Sequence, residues 1–217
     1  FIASNRNTPF FLYYALHQPH VPRTPNKRFE GLSGMGPRGD SILEADWCVG
    51  QILDYLEDLK LAEDTIVVFT SDNGPVLDDG YKDNAVELSS GHKPAGIMRG
   101  GKYSLYEGGT RVPFIISWKG SIKPGISSAM VCQVDLVASF AELLNVYTEE
   151  RDGEKMTRAL LGKSESGREN VVLEASGGKV IYRKGDWILI PPYSGPAVAE
   201  YVNIELGNSP EYQLYNI

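Results

Sequence analysis

A strand, a helix and a second strand follow one another in the first third of the chain, and this order limits the folds open to it. Residues 9–16 (PFFLYYAL) are apolar and aromatic-rich over the length of a strand buried on both faces. Apolar residues then recur every three or four positions, which predicts a helix capped by Asp40 and continuing to about Lys60. Residues 65–70 (TIVVFT) are largely β-branched and end at a Ser-Asp-Asn-Gly-Pro turn. The order predicts an α/β fold built on a mostly parallel sheet with helices.

The rest of the chain adds a strand and a helix to this layer and then changes character. Residues 112–118 (VPFIISW) predict a further buried strand, and apolar spacing predicts a helix over residues 134–144. We therefore assign residues 1–150 to the α/β core and residues 151–170, which are charged and contain glycine, to a linker. Short strand-like runs separated by turns predict a small antiparallel β subdomain over residues 171–217.

Charge and apolar content argue against two classes of partner. The formal net charge of −7 and the pI of about 5.1 speak against a nucleic-acid-binding surface, which is usually basic. No apolar run approaches the roughly 18–20 residues that span a bilayer. The opening residues differ from a signal peptide because their apolar run is aromatic and no methionine precedes it, so we expect the chain to begin inside a longer gene product. Cys48 and Cys132 fit either two buried free thiols or a disulfide.

Asp72 and Asn73 form the sharpest local signal because they follow the predicted strand 65–70 directly. Ligands collect outside the carboxyl ends of strands in open α/β sheets. A carboxylate beside a carboxamide offers the hard oxygen atoms that suit Ca²⁺ or Mg²⁺. The alternative is an Asx-type turn, in which both side chains only satisfy nearby backbone groups.

His20 is a candidate for contact with substrate or for proton transfer. It lies in a loop that Pro19 and Pro22 make rigid, which would preorganise its side chain. His17 is the competing candidate in the same loop, and His92 is a weaker third. An inert loop histidine is the alternative for each of them.

Lys102 follows two glycines, Gly100 and Gly101, which would let the backbone approach a ligand closely while the ammonium holds an anionic oxygen. The alternative is a solvated loop lysine. Glu107 and Arg111 flank a Gly-Gly pair, and we expect them to form an internal ion pair rather than to act in catalysis. The chain contains no P-loop, no paired CxxC and no GxSxG motif.

Three long segments, in this order, resemble the successive motifs of the arylsulfatase family. They are residues 9–25 (PFFLYYALHQPHVPRTP), residues 29–75, which end in VVFTSDNGP, and residues 96–120 (GIMRGGKYSLYEGGTRVPFIISWKG). Residues 152–162 (DGEKMTRALLG) and the terminal QLYNI are similar to that family's linker and final subdomain. The resemblance covers nearly the whole chain. It implies an alkaline-phosphatase-like fold of which this chain is the C-terminal part.

The resemblance also implies roles for single residues. Asp72 and Asn73 match two ligands of a divalent cation, usually calcium. His20 matches the histidine that contacts the sulfate ester and assists the leaving oxygen, and Lys102 matches the lysine that binds sulfate oxygens. We also expect His92 to contact a second anionic group of the substrate. The implied activity is hydrolysis of aryl or carbohydrate sulfates, and the substrate is a sulfated small molecule or glycan.

Two features of the family's active site have no counterpart in this sequence. Its nucleophile is a formylglycine made from the first residue of a C/S-x-P-x-R motif, whereas Cys48 precedes VGQI and Cys132 precedes QVDL. The family's first pair of carboxylate ligands is also absent, and the loop residues Asp78 and Asp79 do not replace it. We expect the nucleophile to lie in an N-terminal half outside this chain, and the chain alone to be inactive.

The sequence is compatible with two other functions. A metal-dependent phosphoesterase of the same superfold is one, although the chain has only three histidines for metal ligands. The other is a degenerate module that binds sulfated ligands without cleaving them. The resemblance implies an extracytoplasmic location, either periplasmic, secreted or lysosomal. We expect the residues of loop 76–98 to contribute to substrate choice, and apolar surface on the predicted core to favour self-association.

Overall fold

The part of the chain that the computed structural model describes, residues 1–149 and 152–217, contains four α-helices and eight strands. The helices are α1 (Gly36–Asp58), α2 (Glu107–Thr110), α3 (Asp135–Leu143) and α4 (Thr157–Leu160). The strands are β1 (Val67–Thr70), β2 (Phe114–Ser117), β3 (Asn170–Ala175), β4 (Lys179–Lys184), β5 (Trp187–Ile190), β6 (Val198–Ala199), β7 (Ile204–Glu205) and β8 (Gln213–Asn216). Short 3-10 turns lie at Ala3–Asn5, Lys27–Phe29, Ala62–Asp64 and Glu87–Ser89. Of the helices so described, none combines the length and the apolar character that crossing a bilayer requires.

The strands β1 and β2 and the helix α3 form where the apolar patterns predict them. β1 pairs with β2 in the antiparallel sense, with Val67 opposite Ser117. The strand predicted over residues 9–16 is not formed, and Phe11 and Tyr13 are 77% and 82% exposed. A strand requires a hydrogen-bonded neighbour, and the described chain places none beside this segment. The parallel pairing that the strand–helix–strand order predicts is therefore not formed among the described residues, whereas the α/β class is confirmed.

Asp40 lies inside α1 rather than at its N-cap, so that prediction is wrong. α1 begins at Gly36, and Pro37 occupies its first turn, where a missing N–H is tolerated. The buried Asp40 carboxylate accepts hydrogen bonds from the backbone N–H groups of Gly31 (2.8 Å) and Ser33 (2.9 Å) and from the Ser33 hydroxyl (2.6 Å). Burial raises the pKa of Asp40, but these hydrogen bonds outweigh burial and the net pKa is lowered. Asp40 therefore fastens the preceding turn to the helix.

The C-terminal strands form a small antiparallel sheet, as predicted. Its order is β3-β4-β5-β8, and β6 and β7 form a separate antiparallel hairpin. The segment assigned to a linker contains α4, in which Ala159 and Leu160 are buried. The boundary between the core and that linker was placed at residues 150 and 151, which lie outside the described residues. The domain limits thus stay a prediction.

Two apolar clusters join the middle of the chain to the C-terminal strands. The first consists of Leu105 packed with Ile181, Ile188 and Ile190. The second consists of Ala199, Val202 and Ile204, against which Val76 and Tyr103 pack. Because Val76 follows the Asp72-Asn73 turn and Tyr103 follows Lys102, the C-terminal strands support the two segments that carry the candidate site. Cys48 and Cys132 are half-buried free thiols.

Candidate functional site

Glycines allow the turn after β1 to lie directly against the segment that carries Lys102. The Gly74 N–H donates to the Gly109 carbonyl (2.8 Å), and the Lys102 N–H donates to the Pro75 carbonyl (2.9 Å). A Cβ atom on Gly74 would overlap the Gly108 carbonyl oxygen, so no side chain fits at this position. These backbone contacts set Asp72 and Asn73 beside Lys102.

The Asp72-Asn73 turn combines the two alternatives that the sequence leaves open. One Asp72 oxygen, Oδ1, accepts a hydrogen bond from the Asn73 N–H (3.0 Å), and Asn73 Nδ2 donates to the Gly74 carbonyl (2.9 Å), as in an Asx turn. The other Asp72 oxygen, Oδ2, and Asn73 Oδ1 accept no hydrogen bond from the described residues. Both are hard oxygen donors that fit Ca²⁺. Across residues 1–149 and 152–217, no group of three or more His, Cys, Asp or Glu side chains is arranged to hold a metal.

Lys102 and His20 lie side by side although 82 positions separate them in the sequence. Lys102 Nζ is 3.4 Å from His20 Nε2, and the Lys102 side chain is 15% exposed. His20 Nδ1 lies 2.7 Å from the Val21 carbonyl oxygen. Because a carbonyl only accepts, Nδ1 must carry the hydrogen of that bond, and neutral His20 presents the lone pair of Nε2 to the Lys102 ammonium.

Asp79 is the third member of the group formed by Lys102 and His20, and the sequence analysis did not assign it a role in the site. Its Oδ2 lies 3.2 Å from Lys102 Nζ and 4.0 Å from His20 Nε2, and its Oδ1 accepts a hydrogen bond from the Tyr103 hydroxyl (2.9 Å). Burial raises the pKa of Asp79, but the hydrogen bonds from Tyr103 and Lys102 outweigh it and the pKa is lowered. Burial likewise opposes the charged form of Lys102, yet its hydrogen bond to Asp79 makes the net pKa of Lys102 raised. The only sequence signal was the spacing of Asp79 a few residues beyond Asn73 in a long loop.

A buried ion pair fixes the loops that carry His20 and Asp79. Arg23 Nε donates to the Pro19 carbonyl (2.9 Å), and Arg23 Nη1 donates to the Leu77 carbonyl (2.9 Å) and to Asp83 Oδ2 (2.8 Å). The side chains of Arg23 and Asp83 are 2% and 6% exposed. One guanidinium thus holds the His20 loop on one side and the Asp79 loop on the other.

Among the described residues, the side chains of the remaining sequence candidates make no hydrogen bond or ion pair with Lys102, His20 or Asp79. His17 Nε2 is 3.2 Å from the Pro22 carbonyl oxygen, inside its own loop. His92 is exposed, and the contact found for it is from its backbone N–H to the Ser89 carbonyl. The expected ion pair between Glu107 and Arg111 is confirmed at 3.1 Å, and Arg183 of the C-terminal sheet shares the same carboxylate at 3.3 Å.

A cavity of about 570 Å³ connects the turn after β1 with the Lys102 segment and the C-terminal sheet. Asp72, Asn73, Lys102 and Tyr103 line it, together with Glu174 and Arg183 of the C-terminal sheet and Ser176 in the turn after β3. It therefore brings Asp72 and Asn73 to the same concave surface as Lys102.

A family model and several curated relatives match this chain. The family model described as Sulfatase matches residues 1–146. An N-acetylgalactosamine-6-O-sulfatase of Bacteroides thetaiotaomicron is 46% identical over 220 residues, which cover 100% of this chain and 43% of the relative. Arylsulfatase A of Homo sapiens is 37% identical over 171 residues, or 78% of this chain and 32% of the relative.

Solved structures show the same likeness in three dimensions. One described under the metabolism of multiple glycosaminoglycans by Bacteroides thetaiotaomicron has a TM-score of 0.96 and 46% identity, covering 99% of this chain and 45% of its own. The PsFucS1 sulfatase from Pseudoalteromonas sp. has a TM-score of 0.70 and 27% identity, covering 92% of this chain and 38% of its own. The expected fold class is confirmed, and the chain spans less than half the length of these relatives.

Proposed function

This chain belongs to the sulfatase family, and we propose that it supplies the sulfate-binding part of an active site that hydrolyses sulfate esters of carbohydrates. The pairing of Lys102 Nζ with His20 Nε2 at 3.4 Å carries this proposal. Lys102 also lines the cavity that Asp72 and Asn73 line. The family match leaves the phosphoesterase alternative without support.

Lys102 and His20 have complementary tasks in this proposal. Negative charge builds on the sulfuryl oxygens and on the leaving oxygen as the ester bond breaks, and preorganised positive charge stabilises it. The Lys102 ammonium, which is held in place before the substrate binds, would stabilise the negative charge on the sulfuryl oxygens. His20 is oriented by its Nδ1–H bond to the Val21 carbonyl, so Nε2 faces the leaving oxygen and, in the imidazolium form that carries a hydrogen on both ring nitrogens, would donate its proton there.

Asp72 and Asn73 would hold a divalent cation, for which calcium is our proposal. Such an ion supplies Lewis-acid stabilisation of the sulfuryl oxygens when bound. Two oxygen atoms fall short of the roughly 6–8 that Ca²⁺ prefers, so the other ligands would come from outside this chain. We propose that the formylglycine nucleophile also lies outside this chain, because none of its cysteines or serines begins a C/S-x-P-x-R motif.

We prefer a carbohydrate sulfate as the substrate because the match to the N-acetylgalactosamine-6-O-sulfatase covers the whole of this chain. An aryl sulfate is the second candidate, supported by the shorter match to arylsulfatase A. The exposed His92 remains our candidate for contact with a second anionic group of the substrate. From the same family membership we propose a periplasmic, secreted or lysosomal location.

Sulfate release by the complete gene product tests the proposal. With 6-O-sulfated N-acetylgalactosamine and an aryl sulfate as substrates, Lys102→Ala and His20→Ala should each reduce kcat by about 10²–10³. Lys123→Ala is the matched control for Lys102→Ala at an exposed position and should leave kcat unchanged. Saturable binding of both sulfate esters without any sulfate release would instead support the non-catalytic binding module.

A further inference from the structure

A carboxylate lies next to the proposed sulfate contacts, where its charge is unexpected. Asp79 Oδ2 is 3.2 Å from Lys102 Nζ, and the Asp79 side chain is 10% exposed. A sulfate held by Lys102 would lie close to the Asp79 carboxylate, and the two negative charges would repel each other strongly in a partly buried site. This repulsion weakens sulfate binding, so the presence of Asp79 requires a compensating contribution to the site.

The hydrogen bonds of Asp79 indicate that task. Both carboxylate oxygens are engaged, one by the Tyr103 hydroxyl and the other by the Lys102 ammonium. The lysine side chain is a flexible stem with about 2 kcal/mol of rotamer entropy, so an ammonium without an anchor samples many positions. Tyr103, whose hydroxyl binds Asp79, adopts a φ of +79°, which is uncommon for a residue with a side chain.

The position of Asp79 relative to His20 is also fixed. Arg23 binds the carbonyl groups of Pro19 and Leu77, which flank the two loops that carry these residues. The same guanidinium binds the buried Asp83 on the far side of the Asp79 loop. A carboxylate seated in this way can act as a rigid reference for more mobile groups.

We propose that Asp79 is a positioning residue of the sulfate site. Its carboxylate holds the Lys102 ammonium beside the His20 imidazole, so that both side chains are already oriented when a sulfate monoester binds. This inference rests on the proposed function. Asp79 remains behind Lys102 and makes no contact with the substrate. Its contribution exceeds the repulsion because misplacing a catalytic group by about 1 Å costs on the order of 10²-fold in rate.

Kinetics of the complete gene product with 6-O-sulfated N-acetylgalactosamine test this inference. Asp79→Asn keeps the shape of the side chain and removes its charge, and Asp78→Asn is the matched control in the exposed neighbour. Asp79→Asn should lower kcat by about 10–100-fold while KM changes by less than about threefold, and Asp78→Asn should change neither. In a Lys102→Ala background, Asp79→Asn should cause little further loss, because residues that act through one another are not additive.

Three results would overturn the inference. One is an unchanged or increased kcat for Asp79→Asn, which would show that repulsion dominates. Another is a full multiplicative loss on top of Lys102→Ala, accompanied by a lower Tm, which would show a purely structural role. The third is a normal kcat for Lys102→Ala itself, which would also reject the proposed function, whereas the first two leave it intact.

Tyr103→Phe provides a second variant in case Asp79→Asn does not fold. It removes the partner of Asp79 Oδ1 and keeps the carboxylate. We expect a fall in kcat of about 3–10-fold that again disappears in the Lys102→Ala background. Additive behaviour of this pair would likewise contradict the positioning role.

Discussion

Replacing Arg23 by methionine would test how the loops around the candidate site are held together. Arg23 and Asp83 form an ion pair with 2% and 6% of their side chains exposed, and Arg23 also binds two backbone carbonyls. Breaking a buried pair from one side costs about 3–5 kcal/mol because it leaves the partner uncompensated. We expect Arg23→Met to fall near the lower limit, about 3 kcal/mol, since Arg38 lies close enough to interact with Asp83.

The presence of Arg38 near Arg23 and Asp83 determines which of the related variants should lose the most stability. Arg38 is 7% exposed, and its Nε has no hydrogen-bond partner among the described residues. Burial is the larger cause, and repulsion from Arg23 the smaller, of the lowered pKa of Arg38. Asp83→Asn would leave two guanidinium groups buried together, so it should cost the most, about 5 kcal/mol. Arg38→Met removes a group that is poorly paired and should change stability by less than about 1 kcal/mol.

Urea denaturation of the complete gene product at pH 7, followed by tryptophan fluorescence, gives these differences from the shift in midpoint at constant slope. Arg6→Met is the matched control at an exposed position and should stay within about 0.5 kcal/mol of the parent protein. A cost for Arg38→Met equal to that for Arg23→Met, or a smaller cost for Asp83→Asn than for Arg23→Met, would refute the charge reasoning.

Four further outcomes are expected. Gly74→Ala should destabilise the protein by about 1–3 kcal/mol in urea denaturation, because the added Cβ would overlap the Gly108 carbonyl oxygen. Asp40→Asn should cost about 1.5–3 kcal/mol at pH 7; since the pKa of Asp40 is lowered on folding, its stabilisation is complete above the unfolded pKa, and the difference from the parent should shrink as the pH falls through that value and vanish only below the folded pKa. The 217-residue chain alone should release no sulfate from an aryl sulfate and should bind Ca²⁺ only weakly by calorimetry. The same chain should self-associate in sedimentation velocity, because the aromatic side chains of residues 11–14 are exposed.

Opposite results would identify the faulty step in each case. A neutral Gly74→Ala would mean that the backbone of the turn moves apart readily. A difference for Asp40→Asn that does not shrink at all in acid would mean that the hydrogen bonds from the Ser33 hydroxyl and the backbone N–H groups do not depend on the charge of Asp40. Turnover or tight Ca²⁺ binding by the chain alone would show that it contains a complete site, and a monomer at high concentration would show that the exposed aromatics do not drive association.

Local sequence patterns predict those parts of the fold that local interactions determine. The C-terminal strands could be found because short apolar runs alternate with turns, and β3, β4 and β5 pair with one another in the order in which they follow along the chain. Residues 9–16 carry an equally strong strand pattern but have no partner strand within the described chain. The N-cap at Asp40 failed for a related reason, because its carboxylate binds the turn before the helix rather than the helix end.

The candidate site was only partly predictable because its contacts are distant in sequence. Asp72 and Asn73 could be proposed from their place at the end of β1. The pairing of Lys102 with His20 over 82 positions, and the engagement of both by Asp79, depend on loops that carry no periodic pattern. The ion pair of Arg23 and Asp83 is equally hidden, since buried arginine and exposed arginine look the same in a sequence.

The C-terminal strands are part of the support of the site and not an appendage to it. The Leu105 N–H donates to the Leu206 carbonyl (2.9 Å), and Arg99 binds Glu205 through two hydrogen bonds of 2.6 and 3.0 Å. Residues 205 and 206 therefore clamp both ends of the segment in which Lys102 lies. A shift of the β6–β7 hairpin would move the ammonium relative to His20, which is fixed from the opposite side by Arg23. Because rate depends on sub-ångström placement of such groups, substitutions in this hairpin are expected to lower kcat before they unfold the protein.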